Sequence, residues 1–91
     1  MSATMRVRVM ISTSHPEYRL VLSSDQGAAG IAPHVQAAID HLGPWREISE
    51  QAFDCADAEH LEAVEDIAVQ GAHLRMLTAG YIGRVEVKPA P

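Results

Sequence analysis

Hydrophobic and polar positions divide the chain into short segments with distinct periods. From Met5 to Ser12 they alternate, with Arg6 and Arg8 on one side and Val7, Val9 and Ile11 on the other. That is the period of a strand with one buried face. Thr13-Ser14-His15-Pro16-Glu17 reads as a turn, because Pro16 fixes its own φ and biases His15 toward extended backbone. Tyr18 to Ser23 is again strand-like, with Tyr18, Leu20 and Leu22 on one face, so Met5 to Ser23 is predicted as a β-hairpin. A small-residue connector containing Gly27 and Gly30 leads into Ile31–Leu42. There Ile31, Val35, Ala38, Ile39 and Leu42 form a helical stripe, Pro33 fits the first turn, and Gly43-Pro44 marks the stop. Trp45 to Phe53 alternates poorly and carries Glu47, Glu50 and Gln51, a combination an edge strand tolerates best.

The longest pattern runs from Ala58 to Ala79. At 100° per residue, Leu61, Val64, Ile67, Ala68, Gly71, Ala72 and Leu74 share one side, with Glu59, Glu62, Asp66, Gln70 and His73 opposite. The pattern predicts one long amphipathic helix, capped by Asp57 at its start and by Gly80 at its end. Val69, Met76 and Leu77 fall outside the stripe and call for further cover, from a second subunit or from a loop or tail. Tyr81 to Lys88 alternates as a last strand, ended by Pro89.

The resulting order is β-β-α-β-α-β, an α+β domain. Four mainly antiparallel strands with two helices on one face would bury both stripes in a two-layer sandwich, ferredoxin-like or a rearranged relative. Ninety-one residues make one domain, 1–91, with tails expected at 1–4 and 89–91. Only four residues are aromatic, Tyr18, Trp45, Phe53 and Tyr81, so small aliphatic side chains must fill a modest core. Such cores gain from oligomerisation, which favours a homodimer.

The charge balance, seven basic against twelve acidic residues, is the opposite of a nucleic-acid footprint. Arg6, Arg8 and Arg19 would at most share a small patch. No apolar run approaches the roughly 20 residues of a membrane-spanning helix, and the start of the chain lacks a secretory pattern. With a single cysteine, Cys55, no internal disulfide can form. A cytoplasmic protein is expected, without nucleic-acid or membrane partners and without a cofactor.

Candidate chemistry is sparse. His34 and His41 are seven residues apart, about 10.5 Å along a helix, too far to share a metal ion, and Asp66 with His73 fails by the same arithmetic. Cys55, Asp57 and His60 are close enough in sequence to form a weak metal candidate, against the simpler reading that Asp57 caps and the other two pack. Acidic neighbours oppose activation of the Cys55 thiol. The Gly27–Gly30 connector lacks the residues of a phosphate-binding loop.

Two functions therefore compete. One is an interaction or regulatory module acting as a homo-oligomer, with a further protein partner possible and Val69, Met76 and Leu77 as interface residues. The other is a small enzyme or small-ligand-binding protein with a pocket between sheet and helices. There His60 would act as acid or base and Arg75 would hold a carboxylate.

Overall fold

The structure, a computed structural model, describes residues 4–27 and 29–87; the side chains of Glu59, Tyr81 and Ile82 are not described. Its elements are β1 (Thr4–Ser12), β2 (Tyr18–Ser23), α1 (Pro33–Leu42), β3 (Trp45–Asp54), α2 (Ala58–Gln70), β4 (His73–Thr78) and β5 (Tyr81–Arg84). All strand pairs are antiparallel, and the sheet order is β3-β1-β2-β4-β5. The protein is thus a small α+β fold with a five-stranded sheet and two helices. The expected tails lie outside the described residues apart from Thr4, which begins β1.

The hairpin, the first helix and the edge strand follow the sequence pattern closely. Pro33 occupies the first turn of α1, and Gly43 ends it. In β3 the register slips between Val9 and Met10, which pair with Ser49 and Glu47 and leave Ile48 as an extra, half-exposed residue. Such a bulge on a charged edge discourages further strands from adding there. The glutamates that made this strand a poor candidate have partners: Glu50 pairs with Arg6, and Glu47 lies 3.6 Å from Arg8.

The expected long helix is the main correction. It ends at Gln70, and His73–Thr78 is a strand. Gly71 adopts φ +88°, and its N–H closes the last helical turn on the Ile67 carbonyl at 3.0 Å. A β-carbon there would also lie 2.6 Å from the Gly30 carbonyl oxygen. Glycine is needed on both counts, and the chain turns at this point. The apolar residues that seemed to encircle the end of a helix instead alternate across β4. His73, Arg75 and Leu77 face one way, Leu74 and Met76 the other. Gly80, expected as a helix cap, sits in the turn between β4 and β5 with φ +82°. The fourth expected strand is thereby the fifth.

The helices also fall on opposite faces of the sheet, not on one. Val35 and Ile39 of α1 pack with Leu20, Leu22 and Leu74. Ala63 and Ile67 of α2 pack with Val7, Val21 and Phe53. Since Leu20 and Leu22 flank Val21 in one strand, the two clusters lie on opposite sides. The molecule has three layers, and its strand order does not confirm a ferredoxin-like arrangement. The sequence conceals this because β2 is buried on both faces at Leu20–Ser23, while Arg19 and Ser23 give one of those faces a polar look.

Replacing Gly71 with alanine is expected to destabilise the fold by about 2–4 kcal/mol, combining left-handed backbone strain with the clash at Gly30. Gly80→Ala, with positive φ but open space around it, should cost only about 1 kcal/mol. Urea denaturation of the two variants makes the comparison, and equal losses would contradict this account of the turn.

Candidate functional site

Helix α2 crosses one face of the sheet obliquely. Near its start, the His60 ring stacks on Phe53 of β3, with centroids 4.2 Å apart. Toward its end, Asp66 reaches His73 of β4 and Arg84 of β5. The helix therefore covers the part of this face holding Val7, Val21 and Phe53, and the row of residues beyond it is partly exposed, with Ile11, Arg19 and Arg75 half-buried and Arg46 and Arg84 exposed.

Asp66 and His73 are the buried titratable residues among those described. His73 is 1% exposed and Asp66 7%. Their Nδ1 and Oδ2 atoms are 2.8 Å apart, and Arg84 Nε lies 3.4 Å from the same oxygen. Burial holds the His73 pKa below that of a free imidazole. The bond to Asp66 opposes this shift, Arg75 reinforces it and Glu62 opposes it weakly. Burial is the largest of these influences and prevails. Neutral His73 then donates from Nδ1 to the carboxylate. Nε2 is left as a bare acceptor with no hydrogen-bond partner among the described residues. A buried carboxylate–imidazole pair has the composition of a general base, but a base must reach the proton it takes. His73 is closed off, and the described cavity is elsewhere. That cavity, about 490 Å³, is lined by Met5, Ser23, Gln26, Gly30, Ile67 and Gly71 among others. The pair fastens α2 to β4.

Beyond it, cross-strand register builds a row of like charge. Arg46 pairs with Ile11, Ile11 with Arg19, Arg19 with Arg75, and Arg75 with Arg84. Directly paired residues project to the same face, so four of the chain's six arginines share one row on the α2 side. Like charges directly opposite are unfavourable. Only Arg84 has a carboxylate contact, Asp66, among the described residues; Arg19 donates to the carbonyls of Pro16 and Tyr18. Partly exposed Val9, Ile11 and Leu77 surround the row.

The residues singled out in the sequence are dispersed. Arg75 lies at the centre of the row, whereas His60 sits over β3, three strand spacings or about 14 Å away. No shared pocket joins them. Of the three candidate metal ligands, Asp57 Oδ2 lies 4.0 Å from His60 Nδ1, and among the described residues no group of three or more His, Cys, Asp or Glu is placed to hold a metal ion. Met76 and Leu77 occupy opposite faces of β4, and Val69 is on α2, 86% exposed. Arg6 and Arg8 face away from Arg19, on the α1 side. Asp66 and His73, judged too far apart along one helix, meet because the helix ends between them. The sequence reading missed the row itself, whose members Arg19, Arg75 and Arg84 become neighbours only through register. The available signal was the alternation His73-Arg75-Leu77. Comparison with protein-family models, curated proteins and solved structures finds no match for this chain.

His73 makes stability depend on pH with a definite sign. Its folded-state pKa lies below the unfolded value of about 6.5, so the unfolded chain binds the proton more readily. Stability is complete above that value and declines as the pH falls below it. Denaturant midpoints measured from pH 8 to pH 5 should show the decline, and the His73 ring should remain neutral in NMR titration where exposed histidines are half charged. Titration of His73 at or above its free value would refute the assignment.

Proposed function

We propose that the protein is a non-catalytic interaction module, cytoplasmic and homo-oligomeric, that recognises acidic protein surface through the open part of its α2-side sheet face. The arginine row carries this reading. Three neighbouring strands place Arg19, Arg75 and Arg84 side by side with a single carboxylate among them. The fold bears that unfavourable juxtaposition where function requires it. The surroundings favour a macromolecular partner over a small molecule. Small-ligand sites are concave, and the row borders an open surface with apolar residues between the charges, the composition of a protein interface rich in arginine. A lone thiol, Cys55, suits a reducing compartment. No helix among the described residues is long and apolar enough to cross a membrane.

A second reading rests on the cavity at the end of α2. Its lining contains no titratable side chain, so a bound molecule would be largely uncharged. Neither His60 nor Arg75 lines it, which separates this reading from acid–base chemistry at those residues.

Short poly-L-glutamate, titrated at low ionic strength into isotope-labelled protein, tests the first reading. Amide shifts are expected at Arg19, Arg75, Leu77 and Arg84 and not on α1. Arg75→Ala should weaken binding about tenfold, the effect of losing one charge-assisted contact of about 1.5 kcal/mol. No response at a concentration where the chain sediments as a monomer, or a response confined to α1, would refute it.

A further inference from the structure

The open part of the α2-side face has a complement on the molecule's own surface. Leu61 and Val69 are two of the three large hydrophobic residues that stand exposed among the described residues, and both lie on the outer side of α2. Glu62 and Glu65 share that side, and neither has a cationic partner among the described residues. At 100° per residue the four fall within a single 100° sector, an acidic and apolar stripe. The sheet beyond α2 presents the opposite charge, with Arg19 and Arg75 set among Ile11 and Leu77.

The dimensions agree as well. Strands β2 and β4 have six residues each, about 20 Å of sheet. A helix with its side chains takes about 10 Å of that width, which leaves room for one more. The 13 residues of α2 span about 20 Å, enough to cross four strands.

We infer that the occupant of the open sheet face is the α2 helix of a second copy of this chain. Its Glu62 and Glu65 lie over the arginine row, and its Leu61 and Val69 lie on Ile11 and Leu77. The contact is isologous: each copy supplies a row and a stripe, and the two α2 helices lie side by side on each sheet. An acidic chain thereby covers its arginine row with its own carboxylates. The inference rests on reading this face as a recognition surface and names the partner.

Sedimentation of the full chain from micromolar to hundreds of micromolar concentration provides the test. A dimer is expected whose dissociation constant rises at least tenfold at high salt and at least tenfold in Glu65→Arg. Val69→Asp, also at an exposed position, should have a similar effect. Arg75→Glu should raise the dissociation constant at least tenfold too. Mixing it with Glu65→Arg should restore a dimer, because one of the two symmetry-related contacts is then charge-reversed and the other unchanged. Circular dichroism confirms folding, and if Arg75→Glu does not fold, the two α2 variants decide the question alone. A monomer throughout the concentration range overturns the inference, as does a dimer indifferent to both α2 variants. The poly-L-glutamate titration reads the sheet face separately, so shifts at Arg75 and Leu77 in a monomeric protein would retain the recognition surface and remove only the second copy as its partner.

Discussion

The arrangement depends on how closely the chain passes itself at Gly71. The backbone there takes a left-handed turn directly against Gly30 and Ile31, the residues that lead into α1. The Ala32 N–H donates to the Gln70 carbonyl at 3.0 Å, so the exit of one helix is hydrogen-bonded to the approach of the other. One glycine thus ends α2, sets the start of β4 beside β2 and joins segments belonging to opposite faces of the sheet. A side chain at this point would push apart backbones that have no flexible group to yield.

The position of β4 determines what the α2 face can do. Its first inward residue, His73, is taken up by Asp66 and buried beneath the helix. Two residues further along, Arg75 lies past the helix, in register with Arg19 and Arg84. A single alternating strand therefore supplies both an internal fastening and a half-buried charge, and the boundary between them is the flank of α2. Asp66 serves both sides of that boundary, accepting from His73 and meeting Arg84 with the same oxygen.

Much of the fold could be read from the chain, and the errors have physical causes. Local patterns sufficed for β1, β2, α1 and the edge character of β3, because alternation, Pro33 and Gly43-Pro44 act within a few residues. They failed across residues 71–78. Leu74 falls on the helical stripe by coincidence of periods, and Gly71 was counted as an apolar position when it was the breaker. A stripe that widened to include Val69, Met76 and Leu77 was the sign of a change of period. The two-sided core is hidden because the β2 face opposite Tyr18, Leu20 and Leu22 carries Arg19 and Ser23 beside Val21, a mixture that does not mark a buried face. Arg75 was picked out from the sequence, but its setting was not. A row of arginines formed from β2, β4 and β5 is a product of long-range pairing, and spacing along the chain carries no record of it.

The sheet order has a consequence for how the chain assembles. The first two strands are joined by a five-residue connection, 13–17, and occupy the middle of the sheet. Every later strand attaches outside those already present: β3 beside β1, β4 beside β2, and β5 beside β4. No strand has to insert between two earlier ones. The β1–β2 hairpin closes over a short loop and leaves both of its edges free for later strands, so it can act as the nucleus, and each helix seals a face as its following strand arrives. A chain emerging from the ribosome in sequence order can therefore grow its sheet outward from the centre, always with a formed edge waiting for the next strand.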